Sequence, residues 1–333
     1  MSDLRHDPIN DQWIAVARNR INRPMEFVPT EQIRQQIICP FCQGNEEETP
    51  EAIANYSAEG ILNDEADWAD WLVRVIPNKY PSYSCPDSEL TLHHSNGTGI
   101  HRSSQMNGVQ ELIIPSPRHI SSLSELTNQE MSMTIRACQD RIGATKQMAG
   151  IEHAMLFMNC RHAAGASLAH IHLQLIGSPI VSRHLQGRIE RDQANRNQNG
   201  CSLIESLMNW EIEQNERVIA LTDNFCVVCP FASRFAFQVR IMPRDPNMSF
   251  LDISPAMGEE LADHCKTLVM RLESQIDQPA YNWLLQLDPF EAPHCNWYVE
   301  LLPRLTRGAG FEMGTDIWVN PVTPEIAARR LRE

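Results

Sequence analysis

Cys39-Pro40-Phe41-Cys42 sets two thiols three positions apart. As thiolates, such a pair can grip one tetrahedral metal ion, with further donors coming from elsewhere in the chain. Redox use is the alternative, but a thioredoxin-type pair opens a helix after a strand, and here the acidic loop Glu46-Glu47-Glu48-Thr49-Pro50 follows. Twelve histidines are available to complete the donor set. His119 closes Ser116-Pro117-Arg118-His119 at the end of one apolar run, and His170 opens another. A second pair, Cys226 and Cys229, encloses two valines in an apolar stretch. In a strand, residues three apart point to opposite faces, so these two are expected in the core. Cys85, Cys138, Cys160, Cys201, Cys265 and Cys295 are scattered and read as small buried hydrophobes.

His170-Ile171-His172-Leu173-Gln174 alternates polar and apolar residues. With a period of two, His170, His172 and Gln174 share one face of a strand, and Ile171 and Leu173 turn to the core. A histidine at the centre of such a face can act as nucleophile or general base. A flanking glutamine amide can donate to a phosphoryl oxygen. The preceding small-residue loop, Ala163 to Ser167, is narrow enough for backbone N–H groups to approach a phosphate. The plainer reading is a half-buried strand with surface histidines.

These residues need elements to hold them. Strands are expected at 13–17, 71–77, 109–115, 154–158 and 170–176, with a mobile polar loop over 85–108. A long helix is expected over 124–150, capped near Thr127. The same order recurs: strand 235–243, a helix from Ser254-Pro255 to about Ile276 with Ser as N-cap and Pro in its first turn, and strands at 281–287 and 296–302. This recurrence reads as an internal duplication. The expected division is an N-terminal half over 1–184, a helical connector over 185–220 and a C-terminal half over 221–333. Asn296, Tyr298 and Glu300 then fall where His170, His172 and Gln174 stand, and they cannot repeat the same chemistry.

The chain has 333 residues and a formal net charge of −14. That balance argues against nucleic acid and anionic membrane as partners. No apolar run approaches the ~20 residues that span a bilayer. The polar N-terminus lacks a secretory pattern, so a reducing cytoplasm is the expected location. Only Lys79, Lys146 and Lys266 among the 28 basic residues are lysines. Arginine suits bidentate phosphate contacts, although genome composition produces the same bias.

Several segments together resemble the galactose-1-phosphate uridylyltransferase family of the histidine-triad superfamily. They are Arg20 and Arg23 before Pro24, Cys39-Pro-Phe-Cys42 with Gly44-Asn45-Glu46, and Asn78-Lys79-Tyr80-Pro81. Ser116-Pro117-Arg118-His119, Asn159 through Ser167, His170-Ile-His172-Leu-Gln174 and Gly310-Phe311-Glu312 complete the set. The resemblance implies an α+β fold: a duplicated histidine-triad-like unit, two antiparallel-sheet halves each with a long helix. It implies one structural zinc on Cys39, Cys42, His119 and His170. His172 would attack the α-phosphorus of a nucleotide sugar, and Gln174 would hold the nucleotidyl phosphate. Arg20, Arg23, Asn78, Asn159, Gly165 and Ser167 would lie near nucleotide or phosphates, and Phe311 and Glu312 near the sugar. A homodimer is also implied.

Two departures from the better-known members stand out. Ile171 and Leu173 replace a proline and a glycine, and Asn296 and Tyr298 stand where some members have histidines of a second metal site, so no second metal is expected. The tail from Gly310 to Val322 is closer to a divergent branch similar to ADP-glucose phosphorylases. The leading expectation is exchange of UDP-glucose and galactose 1-phosphate for glucose 1-phosphate and UDP-galactose. The rivals are adenylyl transfer from ADP-glucose to phosphate, a zinc-stabilised nucleotide-sugar binding protein without turnover, and a hydrolase, which Gln174 argues against.

Overall fold

The computed structural model describes residues 3–16, 38–62, 70–83, 107–292, 294 and 296–333. Arg20 and Arg23, most of the polar loop expected over 85–108, Cys85 and Cys295 lie outside the described residues.

The chain alternates strands with a few long helices. The first strands are β1 (Asp3–Asp7), β2 (Gln12–Val16), β3 (Ala54–Ser57), β4 (Gly60–Ile61), β5 (Val73–Pro77) and β6 (Val109–Ile114). Helix α1 (Asn128–Lys146) leads to β7 (His153–Cys160) and β8 (Leu173–Ser178). Helices α2 (Arg183–Asn199) and α3 (Leu203–Gln214) connect to β9 (Val218–Leu221), β10 (Phe225–Val228) and β11 (Val239–Pro243). Then come α4 (Pro255–Gln275), β12 (Tyr281–Leu287), β13 (Trp297–Pro303), α5 (Gly310–Thr315), β14 (Trp318–Asn320) and α6 (Pro324–Arg332).

Eleven strands form one antiparallel sheet in the order β4-β3-β5-β6-β8-β7-β12-β13-β11-β10-β9. From β5 to β10 this order reads alike from either side of the seam between β7 and β12, with β5 matching β10, β6 matching β11 and β8 matching β13. The duplication is visible in that arrangement. A smaller sheet, β1-β2-β14, pairs β14 in parallel with β2.

The two long helices start as their sequences dictate. Thr127 accepts from the Glu130 N–H while the Glu130 carboxylate accepts from the Thr127 N–H, a reciprocal capping box. Ser254 caps α4, with Pro255 in its first turn. Both helices contribute to one core that runs through both halves of the sheet. On β7, Ala154, Leu156, Met158 and Cys160 join that core; on β12, Tyr281, Trp283, Leu285 and Leu287 do. Period two therefore turns Phe157, Asn159, Asn282, Leu284 and Gln286 to the opposite, partly open face.

Register carries this face across the sheet. Gln174 pairs with Phe157, Phe157 with Leu284, Leu284 with Glu300, and Glu300 with Arg240. Glu300 thus stands in the second half where Gln174 stands in the first. It is buried and bound by Arg240 at 2.9 Å. Tyr298, matching His172, packs under the Arg240 guanidinium at 4.7 Å. Asn296 is bound by Asp288 and Asp192. The second copy is filled by its own charged side chains.

Two strand expectations need correcting. The ladder of β8 begins at Leu173: before it the Ile171 N–H donates to the Ile120 carbonyl, and the rings of His170 and His172 meet the Ser116 and His170 carbonyls. The strand expected from Phe235 begins at Val239. Phe237 adopts a left-handed φ of 61° there, and the Gln238 side chain accepts from the Arg234 N–H at 2.7 Å, which makes the segment a turn.

His153 at the start of β7 gives a pH prediction. Burial and then the Arg188 charge lower its pKa from 6.5 to about 4, against a backbone hydrogen bond to Leu287. Below 6.5 the unfolded chain takes a proton there that the folded chain refuses, so this contribution to stability is lost as pH falls from 6.5 through about 4. At most about 3 kcal/mol is involved. Thermal unfolding of wild type and His153→Gln between pH 7 and 4 should show a shallower decline in the variant. Parallel declines would remove His153 as a source.

Candidate active site

The four predicted metal donors come from three separated segments, and each is positioned locally. Cys39 and Cys42 sit on a tight turn closed by the Cys42 N–H to the Cys39 carbonyl at 3.3 Å. Asn45 also donates to that carbonyl at 3.0 Å. The Pro117 carbonyl accepts from the Gln43 N–H at 3.0 Å, tying this turn to the Ser116–His119 turn. Glu130 anchors the latter: its carboxylate accepts from the Ser116 hydroxyl and the Arg118 guanidinium, each at 2.6 Å. The capping box of α1 therefore also holds the segment that presents His119.

The donor atoms of Cys39, Cys42, His119 and His170 all lie within 4.8 Å of one another. Cys39 Sγ is 3.6 Å and Cys42 Sγ 3.7 Å from His170 Nδ1, and Cys42 Sγ is 3.4 Å from His119 Nδ1. A tetrahedral zinc at usual bond lengths would hold sulfur and nitrogen donors about 3.5 Å apart. The set fits such an ion. His170 Nε2 lies 3.1 Å from the Ser116 carbonyl, which fixes the ring so that Nδ1 faces the cluster. Burial, and then the neighbouring His119, lower the His170 pKa to about 4. Burial and the Cys39 thiol push Cys42 up to about 11. A bound cation favours the thiolate directly.

His172 is 7% exposed. Its Nδ1 lies 3.0 Å from the His170 carbonyl, which marks Nδ1 as the protonated nitrogen and leaves Nε2 as the lone-pair atom. Burial lowers its pKa, and the carbonyl contact offsets this only in part, so the ring is neutral near pH 7. Phe41, inside the CxxC motif, meets it edge-on with centroids 5.1 Å apart. Gln174 Oε1 accepts from Gln110 Nε2 at 3.2 Å. That contact turns its own NH2 group away from Gln110, and no hydrogen bond of that group is recorded among the described residues. Ile171 and Leu173 do join the core, but His170 is fully buried. The reading of surface histidines on a half-buried strand fails for that reason.

The other predicted residues are placed as follows. The Asn78 N–H donates to the Gln110 carbonyl at 2.9 Å, and Asn78 Oδ1 accepts from the Tyr80 N–H. Gln110 thus links the Asn78 turn to Gln174. Asn159 Oδ1 accepts from Asn282 at 2.8 Å, and Asn282 also donates to the Ala164 carbonyl. Gly165 needs its residue type, with a left-handed φ of 94°. The N–H groups of Ala164, Gly165 and Ala166 bond within the loop, so the expected phosphate approach by those three does not hold. Ser167 is exposed beside them. Phe311 and Glu312 lie on α5, which packs on β14, and their hydrogen bonds stay within α5. No hydrogen bond or ring contact among the described residues brings them to His172. Sequence reasoning missed Phe41, Gln110 and Asn282. Phe41 had a signal, its place between the two cysteines; the others have none apart from register.

The family model described as a domain of unknown function (DUF4921) matches residues 118–333. The chain belongs to the DUF4921 family. This DUF4921 member is 27% identical to the ADP-glucose phosphorylase of Arabidopsis thaliana, over 99% of this chain and 92% of that one. It is 26% identical to the galactose-1-phosphate uridylyltransferase of Thermotoga maritima, over 100% and 98%. The crystal structure of an ADP-glucose phosphorylase from A. thaliana with bound ADP-glucose matches at TM-score 0.81 and 25% identity, covering 100% and 99%. A uridylyltransferase structure shares the fold at TM-score 0.71 and 19% identity, covering 100% and 97%. The motif resemblance to the galactose-1-phosphate uridylyltransferase family therefore extends over the whole DUF4921 chain. No helix among its described residues is long and apolar enough to cross a membrane.

Proposed function

We propose that this chain is a nucleotidyltransferase that passes a nucleotidyl group from a nucleotide sugar to phosphate or a sugar phosphate through His172. The observation that carries the reading is the His172 ring, buried and neutral, with Nδ1 on the His170 carbonyl and Gln174 two residues on. Nε2 attacks the α-phosphorus, a P–N bond forms, and the P–O bond to the sugar phosphate breaks. An oxygen of the acceptor then attacks the same phosphorus and releases His172. Splitting one displacement into two suits a nucleophile that is also a good leaving group. The Gln174 NH2 group would donate to a non-bridging oxygen as charge builds there. Asn78, Asn159, Gly165 and Ser167 would line the nucleotide and phosphates, with Arg20 and Arg23 assigned there by resemblance alone.

Cys39, Cys42, His119 and His170 would hold zinc. With four protein ligands its role is to fix the segment that carries His172.

For the donor we favour ADP-glucose with phosphate as acceptor, giving glucose 1-phosphate and ADP. Similarity to the Arabidopsis ADP-glucose phosphorylase, TM-score 0.81 at 25% identity, supports this over uridylyl exchange between UDP-glucose and galactose 1-phosphate. Incubation with α-labelled ADP-glucose and UDP-glucose, followed by alkaline denaturation, should trap an acid-labile labelled chain. Labelling from ADP-glucose is expected. Labelling from UDP-glucose alone would reverse the base assignment, and ligand binding without any adduct would leave a binding protein. A homodimer, expected from the resemblance, would give the exposed Phe311 and the half-buried Glu312 a second chain to act on.

A further inference from the structure

Two arginines, one in the turn before β11 and one just after β13, make no ion pair among the described residues. Arg234 and Arg304 lie 5.7 and 4.9 Å from the centroid of the same ring, Phe235. Among the described residues, no carboxylate lies within 4.0 Å of either guanidinium. The Nε atom of each is buried without a hydrogen-bond partner. By contrast Arg188 on α2 and Arg240 on β11 pair with Asp288 and Glu300. Burial and then the Arg234 charge lower the Arg304 pKa, and Arg234 in turn helps lower the pKa of the Glu300 carboxylate. A pair of poorly solvated guanidiniums of one sign is costly unless an anion joins it.

The loop that presents Arg234 is fixed in advance. Gln238 accepts from the Arg234 N–H at 2.7 Å and donates to Glu300 at 3.1 Å. Asn320 donates to the carbonyls of Ser233 and Phe235 at 2.9 and 3.2 Å. Arg304 also reaches towards the proposed site: its Nη1 lies 3.5 Å from Asn282 Oδ1, and Asn282 holds Asn159 and the Ala164 carbonyl. Asn282 sits two strands from β8 and Arg304 follows β13, three strands from it, so the pair lies about 10–15 Å from β8 across the sheet, at about 4.8 Å per strand. That is beyond contact with a phosphorus under attack, yet within the length of one nucleotide sugar.

We propose that Arg234 and Arg304 form a phosphate-binding subsite beside Asn282, taking orthophosphate or the phosphate of a sugar monoester. Paired forks match a phosphate dianion. A phosphate held there is not the acceptor that attacks the phosphorus on His172, so the binding stands apart from the function proposed above.

The test titrates the full chain with inorganic phosphate and, separately, with glucose 1-phosphate at constant ionic strength. Trp318, whose ring lies 5.2 Å from Phe235, serves as a fluorescence reporter. Saturable binding is expected, weakened at least tenfold in Arg234→Gln and in Arg304→Gln. A response to inorganic phosphate names the free ion as a ligand, and a response to the ester alone names the monoester. Arg304→Lys should lose less affinity than Arg304→Gln, because it keeps the charge while giving up the fork. Equal loss in the Lys and Gln variants would mark packing as the cause and overturn the proposal. So would unchanged binding in both Gln variants, or no response of wild type to either probe. The adduct experiment on wild type is independent: arginine-dependent binding without an adduct would sink the transferase reading and keep the subsite, and an adduct without such binding would do the reverse.

Discussion

His172→Ala is expected to abolish formation of the nucleotidyl adduct and to cut exchange by at least about 10³-fold, the scale of losing a covalent nucleophile. No neighbour can replace it. Gln174 is not nucleophilic, and His170 points its Nδ1 into the cysteine cluster with Nε2 on the Ser116 carbonyl. Among the described residues, His172 meets the predicted metal-donor cluster through its ring contact with Phe41 and the His170 carbonyl. Metal content and the unfolding temperature should therefore stay near wild type. The measurement is a single-turnover labelling assay beside metal analysis and calorimetry. A variant that still labels, or still exchanges sugar phosphates at the wild-type rate, would end the nucleophile assignment.

Removing the metal should have the largest effect on stability. Metal analysis should find about one zinc per chain, and Cys39→Ser should lose it. The remaining thiol and two histidines would then be packed around an empty centre. Destabilisation of at least about 3 kcal/mol is expected, a fall in unfolding temperature on the order of 5–10 °C. Turnover should fall too, because His170 and His172 share one short segment and the former is the anchor of the latter. A chelator should reproduce both effects in wild type and change little in Cys39→Ser. If Cys39→Ser keeps its zinc and its unfolding temperature, the four-donor assignment is wrong.

What could be read from the sequence was what chemistry forces into residue type and spacing. Two thiols three apart, the Ser-Pro-Arg-His turn and the HxHxQ alternation each point to specific atoms, and the structure brings all four metal donors together. Thr127 and Ser254 announced two helices because an N-cap must accept hydrogen bonds at that place. Roles set by register were not legible. Gln110 is an ordinary strand glutamine until pairing places it beside Gln174. Asn282 matters only because β12 pairs with β7. Arg234 and Arg304 are 70 positions apart in sequence and meet at one ring. The expected strand at Phe235 failed for the opposite reason: apolar residues favoured a ladder, but Gln238 offered the backbone a turn that strand periodicity does not reveal.

The seam between β7 and β12 has a further consequence. It joins the half that carries His172 to the half that has lost this chemistry by five paired positions and a common core. A fragment ending after β8 would leave the β7 edge with a row of unpaired amides and carbonyls, a template for pairing with other chains. The half that carries His172 is thus not a portable module. The second copy is the permanent partner that keeps its sibling's edge closed, free to change its side chains provided it keeps its shape.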